Sequence, residues 1–176
     1  AAIIPEDVDN GSSDASGISE MTLDNAIFDC SNVGDNTVVL TVEDKNGNIN
    51  SSEAIVTVED NVAPVVVTQN ITVQLDAEGN ATIKPDQIDN GSTDACGISE
   101  MTLDITSFDV TNVGENTVVL TVVDNYGNES FLEATVTVED NVAPVVITHD
   151  IIVELDAAGN AAIIPEDVDN GSSDAS

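Results

Sequence analysis

An all-β chain made of tandem units is what the sequence predicts, and three observations carry that prediction. The first is an 80-residue period. Gly17-Ile18-Ser19-Glu20-Met21-Thr22-Leu23-Asp24 returns unchanged at 97–104, Glu59-Asp60-Asn61-Val62-Ala63-Pro64 returns at 139–144, and Ala1, Ala81 and Ala161 open the same phrase. A fixed period of domain size marks an array in which each unit is a small fold joined to the next. The second is alternation of apolar and polar residues at the two-residue spacing of strands. The third is regular punctuation by Asp, Asn and Gly. About seven short strands per period, with turns roughly every 8–12 residues, predict an immunoglobulin-like β-sandwich.

The elements follow in order. Ile71-Thr72-Val73-Gln74-Leu75-Asp76 alternates as a half-buried strand does, and so do Met101–Ile105 and Ala134–Glu139. Thr117–Val123 is apolar on both faces, which predicts a central strand. Asp76–Asn80 is a turn with Gly79 where positive φ is needed, and Asp124–Asn128 is a tight hairpin. Asp89–Gly97 is a longer polar loop. No segment sustains a 3.6-residue period, so no helix longer than one turn is expected. Boundaries are placed at Pro64 and Pro144, because proline blunts strand pairing. Residues 64–143 then form a complete unit, 1–63 a unit lacking its first strand, and 144–176 the opening strands of a third. Missing strands are expected from adjoining sequence or from another copy.

Composition narrows the function. The chain is 41% hydrophobic, 2% aromatic and carries a formal charge of −32, with Lys45 and Lys84 as its cations. It is too apolar and too regularly patterned for disorder. Nucleic-acid binding needs a positive patch and is excluded. No apolar run reaches membrane-spanning length, so no direct membrane insertion is expected. The charged partners to expect are cations, since two carboxylates about 5 Å apart repel by about 1 kcal/mol even in water.

A core of Val, Ile and Leu is thin for an 80-residue unit, which calls for a staple. Cys30 aligns with Val110, and Cys96 with Ser16. The two thiols fall in different periods and different loops, so they are expected to be unpaired. Lysine crosslinks do not recur either, because Lys84 aligns with Ile4 and Lys45 with Asn125. Metal is the staple left.

Sandwich topology puts loops at two poles. The 89–97 loop and 124–128 hairpin share one pole; the 76–80 turn, the 106–116 crossover and the exit Glu139-Asp140-Asn141 share the other. Each exit joins the first pole of the next unit. Glu59, Asp60 and Asn61 should therefore face Asp89, Asn90, Asp94, Asp124 and Asn128. Glu139, Asp140 and Asn141 should face Asp169, Asn170 and Asp174. Asp9, Asn10, Asp14, Asp44 and Asn48 should gather at the top of the first unit. Hard oxygen ligands on flexible loops suit Ca²⁺ rather than Zn²⁺ or copper. The same residues are also ordinary turn formers. His149 stands alone, and no recurring acid, base and cleft points to an enzyme.

The phrases DNGSTDACGISEMTL, FDCSNVG, NTVVLTVVDNYGN and ATVTVEDNVAPVV resemble the hyalin-repeat-like (HYR) immunoglobulin-like modules of large bacterial surface adhesins, over essentially the whole chain. In that family a Cys in the DACG phrase and one in FDC often occur together; each period here keeps one of them. The resemblance implies an extracellular, cell-surface, adhesive or spacer role. Residues and resemblance together predict a calcium-stiffened stalk whose partners are its own neighbouring repeats. The alternative is a self-associating repeat that builds filaments through strand exchange or calcium-bridged acidic faces.

Overall fold

The computed structural model describes residues 1–174. Their strands are β1 (Ile18–Leu23), β2 (Gly34–Asp44), β3 (Ile49–Val58), β4 (Ile71–Gln74), β5 (Asn80–Thr82), β6 (Ile98–Leu103), β7 (Ser107–Asp109), β8 (Gly114–Asp124) and β9 (Glu129–Glu139). Helical structure is confined to single turns such as Pro5–Val8 and Pro85–Ile88, each opened by a proline whose missing N–H costs nothing at that position. The fold is all-β, as the alternation predicts, and no helix among the described residues is long and apolar enough to cross a membrane.

The antiparallel ladder β1-β2-β3 recurs one period later as β6-β8-β9, with the same register. Leu23 faces Leu40 as Leu103 faces Leu120, and Val38 faces Ala54 as Val118 faces Ala134. The second ladder gains an outer strand, because β4 pairs in parallel with β9 from Ile71↔Val136 to Gln74↔Glu139. The sheet order is β4-β9-β8-β6, which makes β8 central. Its burial nevertheless alternates, with Val118, Leu120 and Val122 buried and the residues between them only half-covered. The apolar second face is thus a partly screened surface.

Opposite this sheet lies the β5-β7 ribbon, with the bridges Val65↔Thr93 and Thr68↔Asp89 beside it. Leu75, Ile83, Ile88 and Phe108 pack against Val118, Leu120, Val122, Ala134, Val136 and Val138 to form the core. Burying each such side chain contributes about 1.5–3 kcal/mol, so this layer holds the second ladder far better than the first. In the first ladder β3 is an outer strand, and Val56 and Val58 are only half-buried.

Carboxylates end the strands. At the close of β6, Asp104 accepts the Val119 N–H at 2.8 Å while its own N–H donates to the Val119 carbonyl, so a side chain takes one rung of the ladder. Asp24 does the same with Val39. Local capping of this kind explains why the chain leaves the sheet where it does.

Candidate functional site: the acidic junction

The chain leaves β3 through Glu59-Asp60-Asn61 and is held there by its own side chains. Asn61 Nδ2 donates to Glu59 Oε2 at 3.1 Å, and the Val62 N–H donates to Asp60 Oδ1 at 3.1 Å. Three elements converge on this exit. The 124–128 hairpin sends Asn128 Nδ2 to the Asp60 carbonyl at 3.0 Å. The 89–97 loop brings Asp94, whose Oδ1 accepts the Cys96 N–H at 2.7 Å. The turn Cys30–Asn32 arrives from below, capped by Asp29, whose Oδ1 accepts the Ser31 N–H.

These elements are joined covalently: Cys30 and Cys96 form a disulfide with their Cα atoms 5.2 Å apart. The expectation of two unpaired thiols is therefore corrected. Comparing aligned positions seeks a partner within one period, whereas the bond crosses from one period to the next. Metal by elimination also loses its premise, since a staple exists. The equivalent bond one period on would join Val110 to Ser176, the latter outside the described residues; neither position is a cysteine. The cysteines are thus distributed by junction rather than by repeat.

Tyr126 adds a contact that the sequence did not flag. Its hydroxyl donates to the Cys30 carbonyl at 2.7 Å. The matching position in the first hairpin is Asn46, whose Nδ2 donates instead to Ser16 Oγ at 3.0 Å. A lone tyrosine in an otherwise aromatic-poor hairpin was the available signal.

Asp60, Asp94 and Cys96 place ligand-type atoms within 4.8 Å of one another. The sulfur is spent in the disulfide, which leaves two carboxylates. Asp60 Oδ2 is buried without a hydrogen-bond partner, and an uncompensated buried carboxylate oxygen is costly. A hard cation that prefers oxygen fits this pair, with water completing its shell.

The other expected ligands are largely committed to turns. Asp124 is almost fully buried; burial pushes its carboxyl up, but donation from Asn128 Nδ2 and the N–H groups of Asn128, Tyr126 and Gly127 outweighs this and lowers it. Its Oδ1 accepts the Tyr126 and Asn128 N–H groups at 2.8 Å each, and Oδ2 accepts Asn128 Nδ2 at 2.7 Å. Asp89 caps Gly91 and Ser92, with Asn90 donating its N–H to the Val67 carbonyl. At 139–142 the exit motif repeats, Asn141 donating to Glu139 and Val142 to Asp140. Asp169 caps Gly171 and Ser172, Asn170 donates to the Ile147 carbonyl, and Asp174 follows Ser173, which pairs with Val145. In the first unit Asp9 and its neighbour Asn10 sit in a turn closed on Gly11 and Ser12, while Asp44 is wrapped by Asn46 and Asn48. Asp14 and Asp44 are close enough to repel, although Ser16 holds the Asp14 carboxyl below its ordinary value.

A disulfide belongs to an oxidising compartment. No family model matches the chain, and no curated protein matches it. Among solved structures it is similar to an endo-fucoidan hydrolase, MfFcnA9, from glycoside hydrolase family 107, at 14% identity and a TM-score of 0.28. That match covers 69% of this chain and 28% of the hydrolase, so the chain spans under a third of that enzyme's length.

Proposed function

We propose that the chain is a segment of an extracellular, cell-surface stalk: tandem immunoglobulin-like β-sandwich repeats with an 80-residue period, divided at 1–63, 64–143 and 144–176, with no catalytic role. The observation that carries this reading is the junction between the first two periods, which is closed by the Cys30–Cys96 disulfide and by hydrogen bonds from Tyr126 and Asn128. A flexible bead string needs none of these contacts, whereas a rod that projects a distal module does. Each repeat would add roughly 35–45 Å, taking strands of about ten residues at about 3.3 Å per residue plus a linker.

Calcium is the second stiffener in this reading. Asp60 Oδ2 and the Asp94 carboxylate are its first ligands, and the charge of −32 is what it offsets. Small-angle scattering and thermal melting, with calcium and with chelator, test it. Calcium is expected to lengthen the rod and raise the melting temperature, and Asp60→Asn is expected to weaken both responses. Dimensions and melting that ignore calcium would remove the ion from the proposal while leaving the disulfide-closed rod in place.

A further inference from the structure

Four metal-ligand side chains from three separate elements meet at the join between the two ladders. Cys30 comes from the turn Cys30–Asn32, Asp60 from the exit of β3, and Asp94 and Cys96 from the 89–97 loop. A carboxylate oxygen of Asp60, one of Asp94 and Cys96 Sγ all lie within 4.8 Å of one another, and Cys30 Sγ is bonded to that same sulfur. The two carboxylates are already aimed. Asp60 Oδ1 accepts the Val62 N–H at 3.1 Å, while Oδ2 is buried with no hydrogen-bond partner. Asp94 Oδ1 accepts the Cys96 N–H at 2.7 Å, which fixes this carboxylate beside the sulfur of its own loop.

The disulfide is the oxidised form of this set. A dithiol reduces it by giving up two electrons and two protons: the S–S bond breaks, Cys30 and Cys96 become thiols, and the dithiol closes into its own disulfide. Two sulfurs and two carboxylates then stand together, a full complement for a tetrahedral ion. Thiolate sulfur disfavours calcium, and the carboxylate partners favour Zn²⁺ over Cu(I). Zinc lies about 2.3 Å from each thiolate, which places two sulfurs on one ion about 3.8 Å apart. The backbone permits this, because the two Cα atoms are 5.2 Å apart and rotation about each Cα–Cβ bond separates the sulfurs. Charge favours it too. Two thiolates and two carboxylates around a divalent ion carry the same net charge as the two carboxylates beside the disulfide. The change of crosslink therefore adds nothing to the self-repulsion of a chain at −32.

We propose that the Cys30–Cys96 junction is a redox-gated zinc site, in which the reduced cysteines and the carboxylates of Asp60 and Asp94 together bind one Zn²⁺. Binding releases the two thiol protons, and the ion closes the join in place of the S–S bond. Reoxidation runs the other way. A small-molecule disulfide takes up two electrons and leaves as two thiolates, the Cys30–Cys96 bond re-forms, and the zinc is expelled. The oxidised junction keeps only its oxygen ligands, so its metal preference changes with its redox state. This goes beyond the stalk reading, since it needs the meeting of these four side chains and neither calcium nor a rod.

Metal titration of the full chain tests it. The chain is reduced with a phosphine, freed of it without air, and titrated in the absence of calcium with Zn²⁺ or with Co²⁺ as a spectroscopic probe. One ion per chain is expected above the background that surface carboxylates give in the Cys30→Ser, Cys96→Ser variant. Cobalt should show thiolate charge-transfer absorption and the strong visible bands of a tetrahedral site, and the oxidised chain should show neither. Asp60→Asn and Asp94→Asn are each expected to weaken zinc binding at least about tenfold, as disturbed ligand surroundings do, with the thiolate absorption kept at saturating cobalt. A reduced chain that takes up no ion, a cobalt spectrum without sulfur ligation, or an affinity that neither Asp change lowers would each overturn the proposal. The last result would mean two thiols binding on an opened chain rather than a four-ligand site. These arms contain no calcium, and the calcium response is read on the oxidised chain, so either idea can fail without the other.

Discussion

Tyr126 donates a 2.7 Å hydrogen bond to the carbonyl of Cys30, a residue 96 positions earlier. The ring belongs to the β8–β9 hairpin and the carbonyl to the turn after residue 29, so this bond ties the two ladders beside their disulfide. A net hydrogen bond contributes about 0.5–1.5 kcal/mol. Tyr126→Phe keeps the ring and removes the donor. It is expected to lower the stability of the junction by about 1 kcal/mol, with the second ladder's own melting unchanged. Differential scanning calorimetry of the reduced chain, in which the two ladders are expected to melt separately, measures this, and a shift confined to the second ladder would count against a junction role.

Removing the disulfide has a larger effect. The bond closes a loop across a sequence separation of 66 residues. On the chain-entropy account, a crosslink of this span withholds about 4 kcal/mol from the unfolded chain. Cys30→Ser with Cys96→Ser, or reduction, is expected to split one cooperative transition into two, the first ladder melting earlier because fewer of its described apolar side chains are buried. Limited proteolysis should then cut near the 59–64 exit. A single, unshifted transition after reduction would contradict the coupling.

Much of this arrangement is readable from residue patterns, and the disulfide shows where such reading stops. Alternation and turn chemistry locate β4, β6, β8 and β9, and the placement of loops at two poles brings Asp60 to Asp94 and Asn128. The same placement puts the crossover at the exit pole, which sets Cys30 opposite the 89–97 loop. The pairing is implicit there, but comparing cysteines between equivalent positions, rather than across the join, passes over it. The bond obeys adjacency in space, and the period hides it. Tyr126 is hidden for a different reason: one residue in a hairpin carries no pattern, and its partner is a backbone carbonyl that sequence does not distinguish.

Gly97 directly follows the bridged Cys96. Its φ is +95°, and a Cβ there would come within 2.7 Å of Asn125 Nδ2, the amide that donates to the Cys96 carbonyl at 2.8 Å. Gly97→Ala therefore meets both backbone strain and a displaced hydrogen bond, for a cost of about 1–3 kcal/mol. It is expected to disturb the loop that carries Cys96, and to make the disulfide easier to reduce in a dithiothreitol titration. Gly91→Ala, with similar φ but nothing within 4 Å, separates the two causes, since it should destabilise without changing the titration.

Acid should act through the turn carboxylates. Asp109 is held below its ordinary value first by the Thr111 hydroxyl and then by the Thr111 N–H, and Asp29 is held likewise by Ser31. A carboxyl whose folded pKa is depressed stabilises the fold above its unfolded value of about 3.9, and that contribution fades as pH falls through the folded pKa. Protonation also relieves the repulsion behind the −32 charge, so whole-chain melting mixes two opposed effects. A difference measurement separates them. Asp109→Asn, which imitates the protonated cap, is expected to melt below the parent near pH 7, and the gap is expected to narrow as pH falls below the unfolded value of about 3.9 and through the depressed folded one. Thermal melts of both chains across that range check the sign, and a gap that widened in acid would reverse the assignment of Asp109 as a charged cap.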